Sequence, residues 1–147
     1  MSSVQAYSTF YVDGLYFGIL TSDVIELTKG LEVTPVPLGP IGVSGFINLR
    51  GQIVTAIDMR KRLGLNSVVH SDTTISLFFQ DQGTLFGLLV DDVSDILELD
   101  QTSFEEPPSN ISAASRELIV GVHKLPQKLL LILDPHKIIS GIETALS

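Results

Sequence analysis

The chain has no cysteine and no tryptophan, and its 9 basic residues are outnumbered by 17 acidic ones. Without thiols there is neither a disulfide nor a thiolate metal site, a pattern that fits a cytoplasmic protein. A net charge of −8 lacks the basic footprint that nucleic acid demands. From Leu63 to Ser115 there is no Lys or Arg at all, against nine acids. No apolar run approaches the roughly 20 residues of a membrane helix, and Met1–Ala6 lacks the basic flank and apolar stretch of a signal peptide. Direct membrane insertion is therefore not expected. Catalytic motifs are missing too. No Ser has a nucleophile-elbow setting, and Gly39-Pro40-Ile41-Gly42 lacks the lysine and the strand-to-helix context of a phosphate loop. His70, His123 and His136 lie far apart without metal-ligand spacing.

What is present is strand punctuation. Apolar residues make up 44% of the 147, mostly in short β-branched and aromatic runs bounded by Gly, Pro, Asp and Asn. Ala6–Val12 and Leu15–Leu20 around Asp13-Gly14 predict a hairpin with a type I′ turn. Thr73–Gln80 and Thr84–Val90 around Asp81-Gln82-Gly83 predict a second. Leu118–His123 and Lys128–Leu133 around Leu125-Pro126-Gln127 predict a third. Between Gly45 and Asp58, two apolar strands flank Arg50-Gly51, which leaves one arginine at a rigid, exposed corner with no nucleophile or base beside it. Asp58 caps a short helix to Leu63 that Gly64 stops. Asp134-Pro135 opens a terminal helix toward Leu146. The polar segment Gln101–Ser115 reads as a loop.

The chain also resembles itself. Tyr16–Leu27 aligns without gaps on Leu85–Ile96, and Gly45–Leu63 aligns on Gly121–Ile139. The offsets are 69 and 76 residues. Gly45 meets Gly121, Asp58 meets Asp134 and Lys61 meets Lys137. Half a chain of this length holds little core of its own, so the two halves are expected to share one apolar interface. The Ser22-Asp23 and Asp91-Asp92 segments suggest a capped helical turn in each half. Flanking them, Val24, Ile25, Val93 and Ile96 are expected to be mostly core, with any left exposed able to line a groove for an apolar helical tip. Asp91, Asp92 and Asp95 have a spacing that presents carboxylates to divalent ions on a long helix, but this chain reads as strands.

The ordered set Tyr16–Ile19, Val24–Leu27, Gly45–Val54, Ile57–Arg60, Gly87–Leu97 and Leu130–Asp134 resembles the CheW family of chemotaxis coupling proteins, from about Ala6 to Ile139. Its most specific part is the Asn48-Leu49-Arg50-Gly51 hairpin followed by Ile57-Asp58-Met59-Arg60. The resemblance implies an all-β fold of two five-stranded barrels on a shared core, with short helical turns and a C-terminal helix. The barrels would cover approximately residues 15–80 and 81–140, completed by the N-terminal strand and the C-terminal helix. It implies a non-enzymatic adaptor without cofactor or metal. Its partners would be chemoreceptor cytoplasmic tips and the regulatory domain of the histidine kinase CheA, at membrane-associated receptor arrays. By position, Val24, Glu26, Gly45, Asn48 and Arg50 fall where the family contacts receptors or supports that contact, and Val93 lies at the matching place in the other half. An Arg50–Glu26 ion pair is implied as well. Gly39–Val43 and Glu105–Ser115 are not family-like, and no contacts are assigned there.

Three other readings stay open beside it. One is coupling in a twitching, gliding or other non-flagellar pathway. Another is a small barrel binding oligonucleotide or sugar, disfavoured by the acidic charge. The last is a Mg²⁺-dependent enzyme using Asp91, Asp92 and Asp95.

Overall fold

Three two-residue turns organise the strands. The computed structural model describes residues 3–36, 42–66 and 73–146. In it, β1 (Val4–Val12) and β2 (Leu15–Leu20) are joined by Asp13-Gly14, with φ of 51° and 78°. Further along, β5 (Val43–Leu49) and β6 (Gln52–Asp58) are joined by Arg50-Gly51, at 52° and 87°. Likewise, β7 (Ile75–Asp81) and β8 (Thr84–Val90) are joined by Gln82-Gly83, at 52° and 82°. Positive φ at both central residues marks type I′ turns, whose twist matches that of the flanking strands. The second hairpin is tighter than expected, because Asp81 still pairs with Thr84 and leaves only Gln82-Gly83 to turn.

The remaining strands are β3 (Val24–Lys29), β4 (Val33–Pro35), β9 (Asp92–Asp100), β10 (Phe104–Glu105), β11 (Ile119–Lys124) and β12 (Leu129–Leu133). Two six-stranded sheets result, with orders β10-β11-β12-β2-β1-β9 and β3-β7-β8-β6-β5-β4. Five strands each were expected, and the short β4 and β10, of 3 and 2 residues, bring the number to six. Helix α1 (Met59–Arg62) starts where the Asp58 carboxylate accepts the N–H groups of Arg60 and Lys61. Helix α3 (Pro135–Leu146) starts where Asp134 accepts that of His136. Both obey the N-cap rule.

Two local expectations fail. Gln101–Ser115 is not a bare loop: it holds a single 3-10 turn at Gln101–Ser103, then β10, then α2 (Ala113–Arg116). Asp100 and Ser112 supply the caps, and Phe104 packs against Gly121 and His123. Neither half has the expected side-chain-capped turn. Thr21–Asp23 forms a 3-10 turn before β3, but after Asp91 the chain enters β9 directly. Arg60 and the Asp13 N–H hold the Asp91 carboxylate there, at 2.7–2.9 Å, so it cannot cap a turn of its own. As a result Val93 and Ile96 lie on a surface strand at 36% and 62% exposure, and Ile25 is exposed on β3. Only Val24 of the four packs on the core.

The internal repeat is structural, and its halves exchange strands. Phe10 stacks on Phe17 with centroids 5.8 Å apart, and Phe79 stacks on Phe86 at the same 5.8 Å. Val93 of β9 lies opposite Phe10, and Val24 of β3 lies opposite Phe79. Leu131 of β12 runs parallel beside Phe17, and Thr55 of β6 runs parallel beside Phe86. A bulge puts Gly45 opposite Ala56, and an equivalent bulge puts Gly121 opposite Ile132. Each repeat's hairpin is thus flanked by two strands of the other repeat. The sheets therefore do not follow the blocks 15–80 and 81–140. One contains β3 through β8, and the other joins β1 and β2 to β9 through β12. A single apolar cluster joins both sheets: it holds Phe10 and Phe17 together with Phe79 and Phe86, and α3 adds Ile138, Ile139 and Ile142. This is the shared interface expected from the size of each half.

Candidate partner-binding surface

The β5–β6 hairpin carries Arg50 at its tip. Asn48 accepts the Gly51 N–H through Oδ1 at 2.8 Å, which pins the turn whose positive φ at Arg50 would otherwise be unfavourable for a side-chain-bearing residue. Arg50 is 74% exposed, yet both its Nη atoms reach the Glu26 carboxylate, at 2.5 and 2.9 Å. Such a two-pronged contact fixes orientation as well as distance. Thr28 donates a further bond to Glu26 Oε2 at 2.9 Å. Hydrogen bonding from Arg50, then from Thr28, holds the Glu26 carboxyl below its ordinary range, and the same bond raises Arg50. Strands β7 and β8 lie between β3 and β6 in the sheet order, so the bridge requires that the sheet coil. It ties an edge strand to a distant hairpin tip.

The other expected residues take different places. Val24 is half-buried at the start of β3, beside a bulge between Val24 and Glu26. Gly45 is buried where β4 crosses close, and a Cβ there would lie 2.0 Å from the Thr34 carbonyl oxygen. Its requirement is the close approach of β4. Val93 stands apart on β9 of the other sheet. The fold thus brings Glu26, Asn48 and Arg50 into one corner with Val24 on the same strand, and leaves Gly45 beneath and Val93 elsewhere.

Among the described residues, four exposed apolar side chains share this sheet; Ile25 was expected to line a groove if left exposed, and the other three were not expected as part of a site. They are Ile25 and Leu27 on β3, Phe46 on β5 and Ile53 on β6, between 41% and 64% exposed. Alternation along these strands was the available signal, but the two-sheet exchange decides which face is covered.

A family model for the CheW-like domain matches residues 6–143. The chain belongs to the CheW-like domain family. Membership places it among scaffolding proteins and not among enzymes. The chemotaxis protein CheW of Treponema pallidum is 29% identical over 139 residues, covering 92% of this chain and 82% of that one. CheW of Klebsiella aerogenes is 28% identical, covering 97% and 86%. Among solved structures, the scaffolding protein TtCheW from Thermoanaerobacter tengcongensis superposes with a TM-score of 0.82 at 28% identity, covering 93% of each chain.

Within this CheW-like fold the other candidate groups serve the scaffold. Asp91 joins Arg60 and the Asp13 N–H. Burial pushes its carboxyl up, but these bonds outweigh that and hold it below its ordinary range. Asp92 accepts the N–H of Val93. Asp95 falls in the register shift between β9 and β1, where its carbonyl oxygen accepts a bond from Thr9 Oγ1. His123 is wholly buried between Tyr7 and Phe104, with Nδ1 2.8 Å from Ser103 Oγ. Burial lowers its pKa. His136 pairs with Asp81 at 3.1 Å, and His70 lies outside the described residues. Among the described residues, no helix is long and apolar enough to cross a membrane.

Proposed function

We propose that the chain is a cytoplasmic adaptor that couples the cytoplasmic tips of chemoreceptors to the regulatory domain of CheA. The observation that carries this reading is the Glu26–Arg50 corner. An exposed, two-pronged ion pair is set on a turn locked by Asn48, and joins that turn to β3. A surface ion pair contributes little to folding; a rigid, exposed charged corner suits recognition of another protein. Val24, Glu26 and Arg50 form the receptor-facing part. Asn48 and Gly45 shape it from behind, and Val93 marks the matching place in the other half. Recruitment to membrane-associated receptor arrays follows from the partners. Because both halves repeat one plan, contacts with a kinase domain of the same fold would be heterologous and could close into rings.

The test is reconstitution of CheA autophosphorylation with receptor-bearing membranes, with and without the chain. Receptor-dependent activation only in its presence supports the reading. Equal activity without it overturns the reading. Receptors of a non-flagellar pathway, assayed side by side, decide which sensory system it serves.

A further inference from the structure

A cavity of about 220 Å³ opens where β2 runs into the Thr21–Asp23 turn and β12 runs into α3. That is below the roughly 300–1,000 Å³ of pockets that hold whole small molecules, and suits a single side chain. Leu20, Phe104 and Ile132 contribute apolar wall, and two carboxylates, Asp23 and Asp134, line it as well. Among the described residues neither acid takes part in an ion pair. The nearby cation of α3, Lys137, is turned to the Ile119 carbonyl oxygen at 3.3 Å. Asp134 gives one oxygen to the N–H of His136. Burial, together with the charge of Asp134, makes Asp23 harder to ionise, so two half-buried carboxylates stand here without a counter-charge.

The internal repeat shows what closure of this place looks like. Asp58, the match of Asp134, is 3% exposed and bonded to the N–H groups of α1. Met59, the match of Pro135, is wholly buried. Asp92, the match of Asp23, accepts the N–H of Val93. In that half Asp58 is covered and bonded by the protein's own atoms and Met59 fills the core, while Asp92 lies exposed on β9. In this half a proline takes the methionine's position, and the acids remain open to the cavity.

We infer that this cavity receives one lysine or arginine side chain from a partner protein, its methylene stem against Leu20, Phe104 and Ile132 and its cation between Asp23 and Asp134. Long basic side chains combine an apolar stem with a charged head, which is the division this lining presents. The acidic balance of the chain, −8 overall, favours approach of a basic segment. Asp23 directly precedes β3, which carries Glu26, while Leu20, Phe104 and Ile132 come from the other sheet.

The test is an NMR titration of the full-length ¹⁵N-labelled chain with pentylammonium and butylguanidinium chlorides, against 1-pentanol and sodium pentanoate. Saturable shifts at the Leu20, Asp23 and Phe104 amides with the cations, at least tenfold weaker for pentanol and absent for pentanoate, are expected. Asp23→Asn and Asp134→Asn should each weaken cation binding at least fivefold. Asparagine still caps a helix, so the second variant keeps α3. Asp23→Lys, which supplies a cation from within, should abolish it while the rest of the spectrum stays in place. Equal binding of pentanol and pentylammonium would make the cavity an apolar one and overturn the proposal. So would the absence of saturable shifts, or unchanged affinity in both asparagine variants. None of these readouts uses receptor or kinase, so the outcome is independent of the adaptor role.

Discussion

Arg50 grips Glu26 with both ends of its guanidinium, at 2.5 and 2.9 Å, from the far side of the same sheet. Because the pair is exposed, it contributes little to folding, and on the proposed reading its main effect falls on recognition. Arg50→Ala should leave the thermal midpoint within about 2 °C, since surface substitutions usually act within about 0.5 kcal/mol. It should lower receptor-dependent kinase activation several-fold. Glu26→Ala should do the same, and the exchanged pair Glu26→Arg with Arg50→Glu should recover part of the loss. Full activation by Arg50→Ala would remove the corner from the interface.

Gly45 separates a shaping role from a contact role. A Cβ at this position meets the Thr34 carbonyl oxygen at 2.0 Å and its carbon at 2.7 Å, and backbone cannot rotate away as a side chain can. Gly45→Ala should cost about 1–3 kcal/mol, the usual range for overpacking. It should also raise hydrogen exchange along Val33–Pro35. Loss of partner binding with β4 protection intact would instead make Gly45 a contact residue.

The Asp91–Arg60 pair closes the gap between α1, the β1–β2 turn and the start of β9. Asp91→Asn or Arg60→Ala should cost about 1 kcal/mol, near the top of the range for partly exposed pairs. For a chain of this size that is a drop of roughly 2–4 °C in thermal midpoint. The double variant should cost little more than either single one, because both remove the same bond.

Much of the fold was readable because its signals are local. The Asp13-Gly14 and Arg50-Gly51 turns need positive φ, and Asp58 and Asp134 cap helices through their own side chains, so residue type alone marks them. The Gln101–Ser115 elements were not readable, because Phe104 finds its partners on β11 and in the cluster of Tyr7, Tyr16, Leu130 and Ile132, all distant in sequence. The exposure of Ile96 was hidden for a similar reason. Its strand lies at the edge of a sheet begun by β1, so its burial depends on a pairing nearly ninety positions away. Of the site, the Glu26–Arg50 pair came through resemblance. Neither strand by itself shows that a coiled sheet brings its edge to the hairpin tip.

His123 predicts the sign of an acid effect. Its ring is buried beside Tyr7, Phe104 and Ser103, and burial holds its pKa below the ordinary 6.5. Below pH 6.5 the unfolded chain takes up a proton that the folded chain resists, so the unfolded state is favoured as pH falls. The contribution is absent above that value and grows down to the folded pKa. Urea midpoints measured from pH 7.5 to 5 should therefore fall faster for the wild type than for His123→Phe. A parallel pair of curves would show that the buried imidazole does not resist protonation.

The strand exchange makes a prediction about cooperativity. Phe10 and Phe17 belong to one repeat and Phe79 and Phe86 to the other, yet all four lie in one cluster that bridges the two sheets. Phe10→Ala and Phe79→Ala should each cost about 3–5 kcal/mol, and each should lower the stability of both sheets together. Hydrogen exchange in β5–β6, far from Phe10 in sequence, should rise with Phe10→Ala as much as exchange in β1–β2. Residues 24–90 supply every strand of one sheet, but expressed alone they should not fold, because the apolar faces of Phe79 and Phe86 lose their cover. A cooperative unfolding transition of that fragment, or selective loosening of one sheet in the full chain, would show that the two sheets are independent units.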